Sequence, residues 1–233
     1  MDFKGLIFPR RCPVCDKVLE FNGELICKEC KPELKYILNP RCKKCGKQLI
    51  SYEQEYCYDC KNKKHFYKEG LAGFSHVGAI KKSIYDIKYS NKREYVNFYV
   101  EEMSKLYKRY ILDWNCDGII PVPLHFRKKI KRGYNQAEVI AKAFSKELGI
   151  KMYGNLLKRK KYTKPQKELN DIQRKKNLEN AFKITKNIVE LKKAILVDDI
   201  YTTGSTIDAC AKELLNSGVK EVYYLSISIG TGY

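Results

Sequence analysis

The sequence predicts an α/β protein, a parallel sheet flanked by helices, preceded by a small cysteine-rich unit. Three observations carry that expectation. Residues 119–122 (IIPV) and 194–197 (AILV) are short, continuous apolar runs, as strands are when both faces of a sheet are covered. Each leads through a polar stretch into a segment of helical period: Ala137, Ile140, Ala141, Phe144 and Leu148 after the first, and Ile207, Cys210, Ala211, Leu214 and Leu215 after the second. Eight of the ten cysteines fall before residue 61, in four C-x-x-C pairs.

The cysteine pairs come first in the chain. Cys12 and Cys15, Cys27 and Cys30, Cys42 and Cys45, and Cys57 and Cys60 are each followed by the next pair after eleven residues. The repeat has a period of thirty, and Arg11 and Arg41, Lys17 and Lys47, Leu19 and Leu49, and Lys31 and Lys61 keep its register. In a cytoplasmic chain this pattern indicates metal rather than disulfides. Two residues between cysteines let both sulfurs of one turn face the same ion, and two turns complete a tetrahedron, so two structural zinc ions are expected. The expected sets are Cys12, Cys15, Cys27 and Cys30 on one ion, and Cys42, Cys45, Cys57 and Cys60 on the other; an interleaved pairing also satisfies the spacing. Asp16 and Gly46, each next after a cysteine pair, suit a left-handed knuckle conformation. Arg11, Lys28, Lys43 and Lys61 lie beside the cysteines and favour their thiolates.

The formal charge is +19, and residues 121–186 hold nineteen Lys and Arg against five Asp and Glu, a net +14. A Lys-rich solvated surface accounts for the count; so does a polyanion partner, nucleic acid being the commonest. No run of eighteen apolar residues exists, and the opening MDFKGLIFPRR has neither the apolar length nor the cleavage site of a secretory signal, so a cytoplasmic location is expected.

A linker is expected over residues 61–70, with His65 as a linker residue rather than a ninth ligand, dividing the chain into residues 1–65 and 66–233. Beyond it, LAGFSHV (71–77) reads as a strand, Gly78 as a turn, and residues 80–89 as a short helix. A longer helix runs to about residue 111 on the stripe Val96, Tyr99, Val100, Met103, Tyr107 and Tyr110. DGIIPVPLH (117–125) is a buried strand, 125–132 a cation-dense loop, and Gly133 opens a helix that Gly149 caps. Residues 150–192 have no sustained period and read as a long loop with a strand near 181–184, a length usual in lids and binding segments. EVYYLSISI (221–229) supplies a last strand, and Cys116 and Cys210 read as small buried hydrophobes.

The stretch KAILVDDIYTTGST (193–206) carries the chemistry. Two carboxylates, Asp198 and Asp199, stand at the carboxyl end of a buried strand, where ligands of open α/β sheets collect. Thr202, Thr203, Gly204, Ser205 and Thr206 then lead into a helix whose free N–H groups, dipole end and hydroxyls suit a phosphate. Carboxylates suit vicinal hydroxyls, so the pair and the loop together specify a sugar phosphate.

This stretch resembles the binding signature for phosphoribosyl pyrophosphate (PRPP) in type I phosphoribosyltransferases. The resemblance implies that Leu124, His125, Arg127 and Lys128 form the pyrophosphate loop, that magnesium accompanies PRPP, and that a flexible loop closes over it, in which Lys158, Arg159, Gln166 and Arg174 serve either closure or nucleic acid. Purine-salvage members place an acid three residues after the acid pair; Thr202 stands there, which favours binding over transfer, with an active transferase as the competing reading. The order of parts, including RGYNQAE (132–138), resembles the bacterial competence ComF (ComFC) family over almost the whole chain. Membership implies a cytoplasmic protein of natural transformation that handles single-stranded DNA, with a helicase-like DNA translocase and a recombination mediator as partners. Arg127, Lys128, Lys129, Lys131 and Arg132 are then the candidate DNA contacts.

Overall fold

A computed structural model describes residues 9–20, 23–160, 178, 180–185 and 191–231. The two cysteine units come first, each a pair of knuckles, followed by helix α1 (Tyr58–Asn62). Then come β1 (Glu69–Ser75), α2 (Gly78–Tyr89), α3 (Tyr95–Asp113), β2 (Gly118–Pro121), α4 (Phe126–Arg132) and α5 (Gln136–Leu148). A short antiparallel pair, β3 (Leu157–Arg159) with β4 (Phe182–Ile184), precedes β5 (Lys193–Tyr201), α6 (Ser205–Asn216) and β6 (Glu221–Ile229). The main sheet runs β1-β6-β5-β2, all parallel. Its outer edge at β2 is covered by residues 151–153, with Ile119 N donating to Lys151 O (2.9 Å) and Tyr153 N to Ile119 O (2.8 Å).

Alternation along the central strand divides the interior. Ile195 and Val197 join the core under α2, α3 and α5, while Ala194 and Leu196 join the core under α6 and the β3–β4 pair. The cysteine units share these cores. Cys12, Leu19 and Cys30 pack with α3, whereas Cys42, Cys45, Leu49 and Cys57 pack with Tyr67, Tyr224 and α6. Removing these apolar side chains from water supplies much of the drive for both units to dock, at about 25 cal/mol per Å² buried.

Several expectations shift. β1 begins two residues earlier than the apolar run, because Glu69 and Gly70 already pair with Tyr223 and Tyr224. β2 stops at Pro121, since the prolines at 121 and 123 remove ladder donors, although Val122 N still reaches Val197 O at 2.9 Å. The cation-dense stretch is not a loop: it is α4, with His125 as its N-cap (Arg127 N to Nδ1, 3.3 Å). Gly133, at φ 83°, therefore closes α4, and Asn135 opens α5 by accepting from Ala137 N at 3.2 Å. The apolar positions of α4 gave no signal because Phe126 and Ile130 face solvent, at 60% and 76% exposure. β3 was not expected, and Tyr110 lies at the surface rather than in the core stripe, under the Arg41 guanidinium. β5 continues through both acids to Tyr201 instead of breaking at Asp198. Cys210 is fully buried as expected; Cys116 is half-buried, and burial pushes its thiol up to about 12. Among the described residues, no helix is long and apolar enough to cross a membrane.

Candidate functional site

The repeat in the cysteines is a repeat in the backbone. Cys12 N donates to Lys17 O (2.9 Å) as Cys42 N does to Lys47 O (2.8 Å), and Asp16 N meets Cys12 O (3.0 Å) as Gly46 N meets Cys42 O (2.9 Å). Asp16 and Gly46 adopt the expected left-handed conformation, at φ 62° and 68°. The thiols gather as Cys12, Cys15, Cys27 and Cys30, and as Cys42, Cys45, Cys57 and Cys60, with each set's sulfurs within 4.8 Å of one another. Cys15 and Cys27 Sγ are 3.7 Å apart and Cys45 and Cys57 Sγ 3.6 Å. Zn–S bonds of about 2.3 Å in a tetrahedron put sulfurs about 3.8 Å apart, so both sets fit a structural zinc with no open position. Arg11 and Lys43 turn toward Asp16 and Glu55 rather than toward the thiols. His65 is no ligand: its Nδ1 donates to Asp208 Oδ2 at 2.8 Å, and Phe66 N donates to Asp208 Oδ1 at 2.9 Å, which clamps the segment after the second unit to α6.

The acid pair lies past the end of β2, where β5 runs on beside β6 with Asp198 opposite Ser226. Successive strand residues point to opposite faces, so the two carboxylates meet different surroundings. Asp199 faces α2 and α5, is 4% exposed, pairs with Lys88 Nζ and accepts from Gln136 Nε2 at 3.0 Å. Gln136 in turn accepts from the Arg132 guanidinium, whose group lies 5.0 Å from the Tyr89 ring centre. Asp198 is half-buried on the other face, toward Arg159 of β3 and Cys210 of α6. Burial and then the charge of Asp199 push the Asp198 carboxyl well above the usual carboxylate range. Burial opposes ionisation of Asp199 too, but the charge and hydrogen bond of Lys88, then hydrogen bonds from Asp198 and Gln136, hold its carboxyl below that range.

The loop after β5 closes tightly. Gly204, at φ 78°, is the N-cap of α6, and a Cβ there would also collide with the Tyr201 hydroxyl, so only glycine fits. Thr203 and Ser205 bond through their hydroxyls at 2.9 Å, Thr202 is exposed, and Thr206 stands in the first turn of α6. The first-turn N–H groups have no acceptor within the helix, which is the arrangement that takes an anion. A cavity of about 790 Å³ opens beside this loop, bounded by His65, Phe66, Phe182, Thr203, Ser205 and Lys212.

The other candidates scatter more than expected. Leu124 is half-buried and His125 is a buried cap at 4% exposure, tied to Arg159 by a parallel bridge. Arg127, Lys129 and Lys131 are exposed on α4, Lys128 and Arg132 half-buried, and Lys129 pairs with Glu138 at 3.2 Å. Lys158 is exposed, and Arg159 is half-buried over the Phe182 ring. Gln166 and Arg174 lie outside the described residues. Sequence reasoning singled out RGYNQAE without a role; here Asn135 Nδ2 donates to Val122 O (3.0 Å), Gln136 grips Asp199, and Arg93 covers the Tyr134 ring at 4.0 Å. Lys88 and Tyr201 were missed altogether, since a lone lysine late in a helix and a lone tyrosine late in a strand carry no pattern.

Comparison with known proteins agrees with this layout. Residues 3–61 match the double zinc ribbon domain family. Competence protein F of Haemophilus influenzae is 30% identical over 225 residues, 92% of this chain and 95% of that protein. Competence protein ComFC of Bacillus subtilis is 25% identical over 202 residues, 84% of this chain and 80% of that protein. DNA utilization protein YhgH of Escherichia coli K12 is 35% identical over 106 residues, 46% of each chain. Among solved structures, a purine phosphoribosyltransferase from Pyrococcus horikoshii covers 58% of this chain and 73% of its own at 18% identity and a TM-score of 0.36, a likeness too partial to carry an argument. With near-complete coverage of both chains at 30% identity, the two-ribbon α/β protein described above belongs to the competence protein F (ComF/ComFC) family.

Proposed function

We propose that this chain handles single-stranded DNA during natural transformation and binds PRPP, or a related ribose phosphate, between its acid pair and the loop at the start of α6. One observation carries the reading: Asp198 and Asp199 lie near the carboxyl end of a buried strand that runs to Tyr201, beside a glycine loop that presents the N-terminus of α6. Ribose hydroxyls would donate to the carboxylates and a 5′-phosphate would accept from Ser205, Thr206 and the first-turn N–H groups. Magnesium, bound with the pyrophosphate, would supply charge neutralisation there, with Arg127 and Lys128 of α4 as the candidate protein cations. DNA is assigned to the basic belt, Arg127, Lys128, Lys129, Lys131 and Arg132 together with the charge of residues 121–186. A DNA translocase and a recombination mediator are the partners this reading implies, in the cytoplasm. Thr202 offers no carboxylate where a purine-salvage enzyme has its base, so the site is read as a binder; turnover of PRPP with any acceptor, abolished by Asp199→Ala, would replace this with the transferase reading.

The test measures both ligands. PRPP titration is expected to give heat with wild type and to weaken at least about tenfold in Asp199→Asn, which removes the acid that keeps its charge. Affinity for a single-stranded oligonucleotide is expected to fall steeply between about 50 and 200 mM salt, and the log–log slope to shrink by about two to three when Arg127, Lys128 and Lys129 become Ala. A salt-independent affinity, or one unchanged in the triple variant, removes the DNA assignment.

A further inference from the structure

Asp199 is a buried charge that the ribose-phosphate reading needs and that two neighbouring elements hold in place. Its side chain is 6% exposed, and that of Lys88, from the last turn of α2, is 17% exposed beside it. A carboxylate this deep ionises only with a charged partner. The groups that face it are few. Lys88 comes from α2, and Gln136 from α5 with the Arg132 guanidinium of α4 behind it. Asp198 is the next residue of β5, and beyond Asp198 stand Arg159 of β3 and Cys210 of α6. Gln136 is neutral, a protonated Asp198 can donate to Asp199 but brings no positive charge, and Arg159 lies on the other face of the strand, so Lys88 is the cation in direct contact among the described residues. Gln136 satisfies Oδ1, and Oδ2 meets the Lys88 ammonium in a close ion pair. A carboxylate oxygen accepts two hydrogen bonds, so beside Lys88 this buried, charged Oδ2 has capacity for one more donor, such as a sugar hydroxyl.

We propose that Lys88 is a positioning residue of the ribose-phosphate site: it keeps Asp199 ionised and its Oδ2 aimed, and so sets the pH range over which the site takes its ligand. The assignment rests on the ribose-phosphate reading for its ligand but not for its effect on Asp199. Without Lys88 the burial of Asp199 is no longer offset by a cation, its carboxyl moves up, and the acceptor shifts toward the neutral carboxyl.

The test is PRPP titration from pH 7 to 9 in wild type, Lys88→Met and Lys88→Arg, each first shown to carry two zinc ions. Wild type and Lys88→Arg are expected to bind nearly evenly across the range. Lys88→Met is expected to bind about tenfold or more weaker at pH 7 and to recover toward pH 9 as Asp199 ionises. A Lys88→Met profile parallel to wild type, whether at equal or reduced affinity, overturns the proposal, because a structural role alone shifts affinity without tilting it. Carbon-13 titration of the Asp199 carboxyl needs no ligand: it is expected to move up in Lys88→Met, and an unmoved titration overturns the proposal by itself. If wild type binds no PRPP while that titration moves, the ribose-phosphate reading falls and the control of Asp199 by Lys88 stands.

Discussion

The two zinc units are one motif written twice, with matching backbone bonds, yet they dock by different chemistry. In the first, Asp16 occupies the left-handed position and its carboxylate accepts from Lys92 Nζ (2.8 Å) and Tyr95 Oη (2.5 Å) at the start of α3. In the second, Gly46 occupies that position and the backbone packs directly on β1: Gly70 N donates to Lys44 O at 2.9 Å, and a Cβ on Gly46 would stand 2.7 Å from Gly70 O. A polar side chain reaches across a gap; a glycine abolishes the gap. The difference extends to the candidate site. Tyr224 Oη donates to Cys45 O at 2.6 Å, the Tyr224 ring stacks on Tyr201 (4.7 Å, 7°), and Tyr201 Oη meets Tyr67 Oη at 2.7 Å while abutting Gly204. The second unit therefore supports the loop at the start of α6 through three buried tyrosines, whereas the first braces α3 on the far side of the sheet.

That contrast can be broken most severely at the metal. Cys27→Ser and Cys57→Ser are each expected to lower the zinc content from two to one, and a structural zinc is worth on the order of 10 kcal/mol to the segment it organises. Only Cys57→Ser is expected to abolish PRPP binding along with it. Metal analysis paired with ligand titration checks this, and equal loss of binding in both variants would mean that the two units support the site alike.

A smaller change sharpens the docking argument. Gly46→Ala forces a side chain into a left-handed φ and against a carbonyl, which is expected to destabilise by about 2–3 kcal/mol. Asp16→Gly relaxes the same φ and removes partly exposed bonds to Lys92 and Tyr95, an effect of about 1 kcal/mol or less. Denaturant unfolding of the two variants measures the difference, and similar losses would erase the distinction between the two docking modes. The mildest change, Tyr224→Phe, leaves the Cys45 carbonyl without its donor, at a cost of about 1 kcal/mol. It is expected to speed amide exchange in residues 202–206 without touching α3; uniform exchange across both regions would show that the tyrosines do not link the second unit to the loop.

Much of this molecule was legible in residue order. The eight cysteines announced two four-thiol sites and the left-handed residues Asp16 and Gly46, because a knuckle is a local structure whose constraints fall within a few residues, while the sequential sets rather than the interleaved ones came from the fold. The strand, acid pair and helix of 193–216 were legible for the same reason. The helix α4 was not, because Phe126 and Ile130 face solvent and leave no apolar period, and the strand β3 was not, because its three residues acquire their role only against β4. Nor could the order of residues show that β5 continues through Asp198 and Asp199 and turns them to opposite faces.

By itself the sequence determined the local chemistry: which cysteines could share an ion, which strand would carry adjacent carboxylates, and where a glycine would turn the chain into a helix. Only the tertiary structure decided which acid keeps its charge. Asp198 and Asp199 are identical in covalent structure and adjacent in the chain. Lys88, 111 residues before Asp199, and Gln136, 63 residues before it, reach Asp199 and not Asp198 because α2 and α5 pack on that face of the sheet. Charge in a buried site is set by what surrounds it within a few ångströms, and those surroundings come from packing.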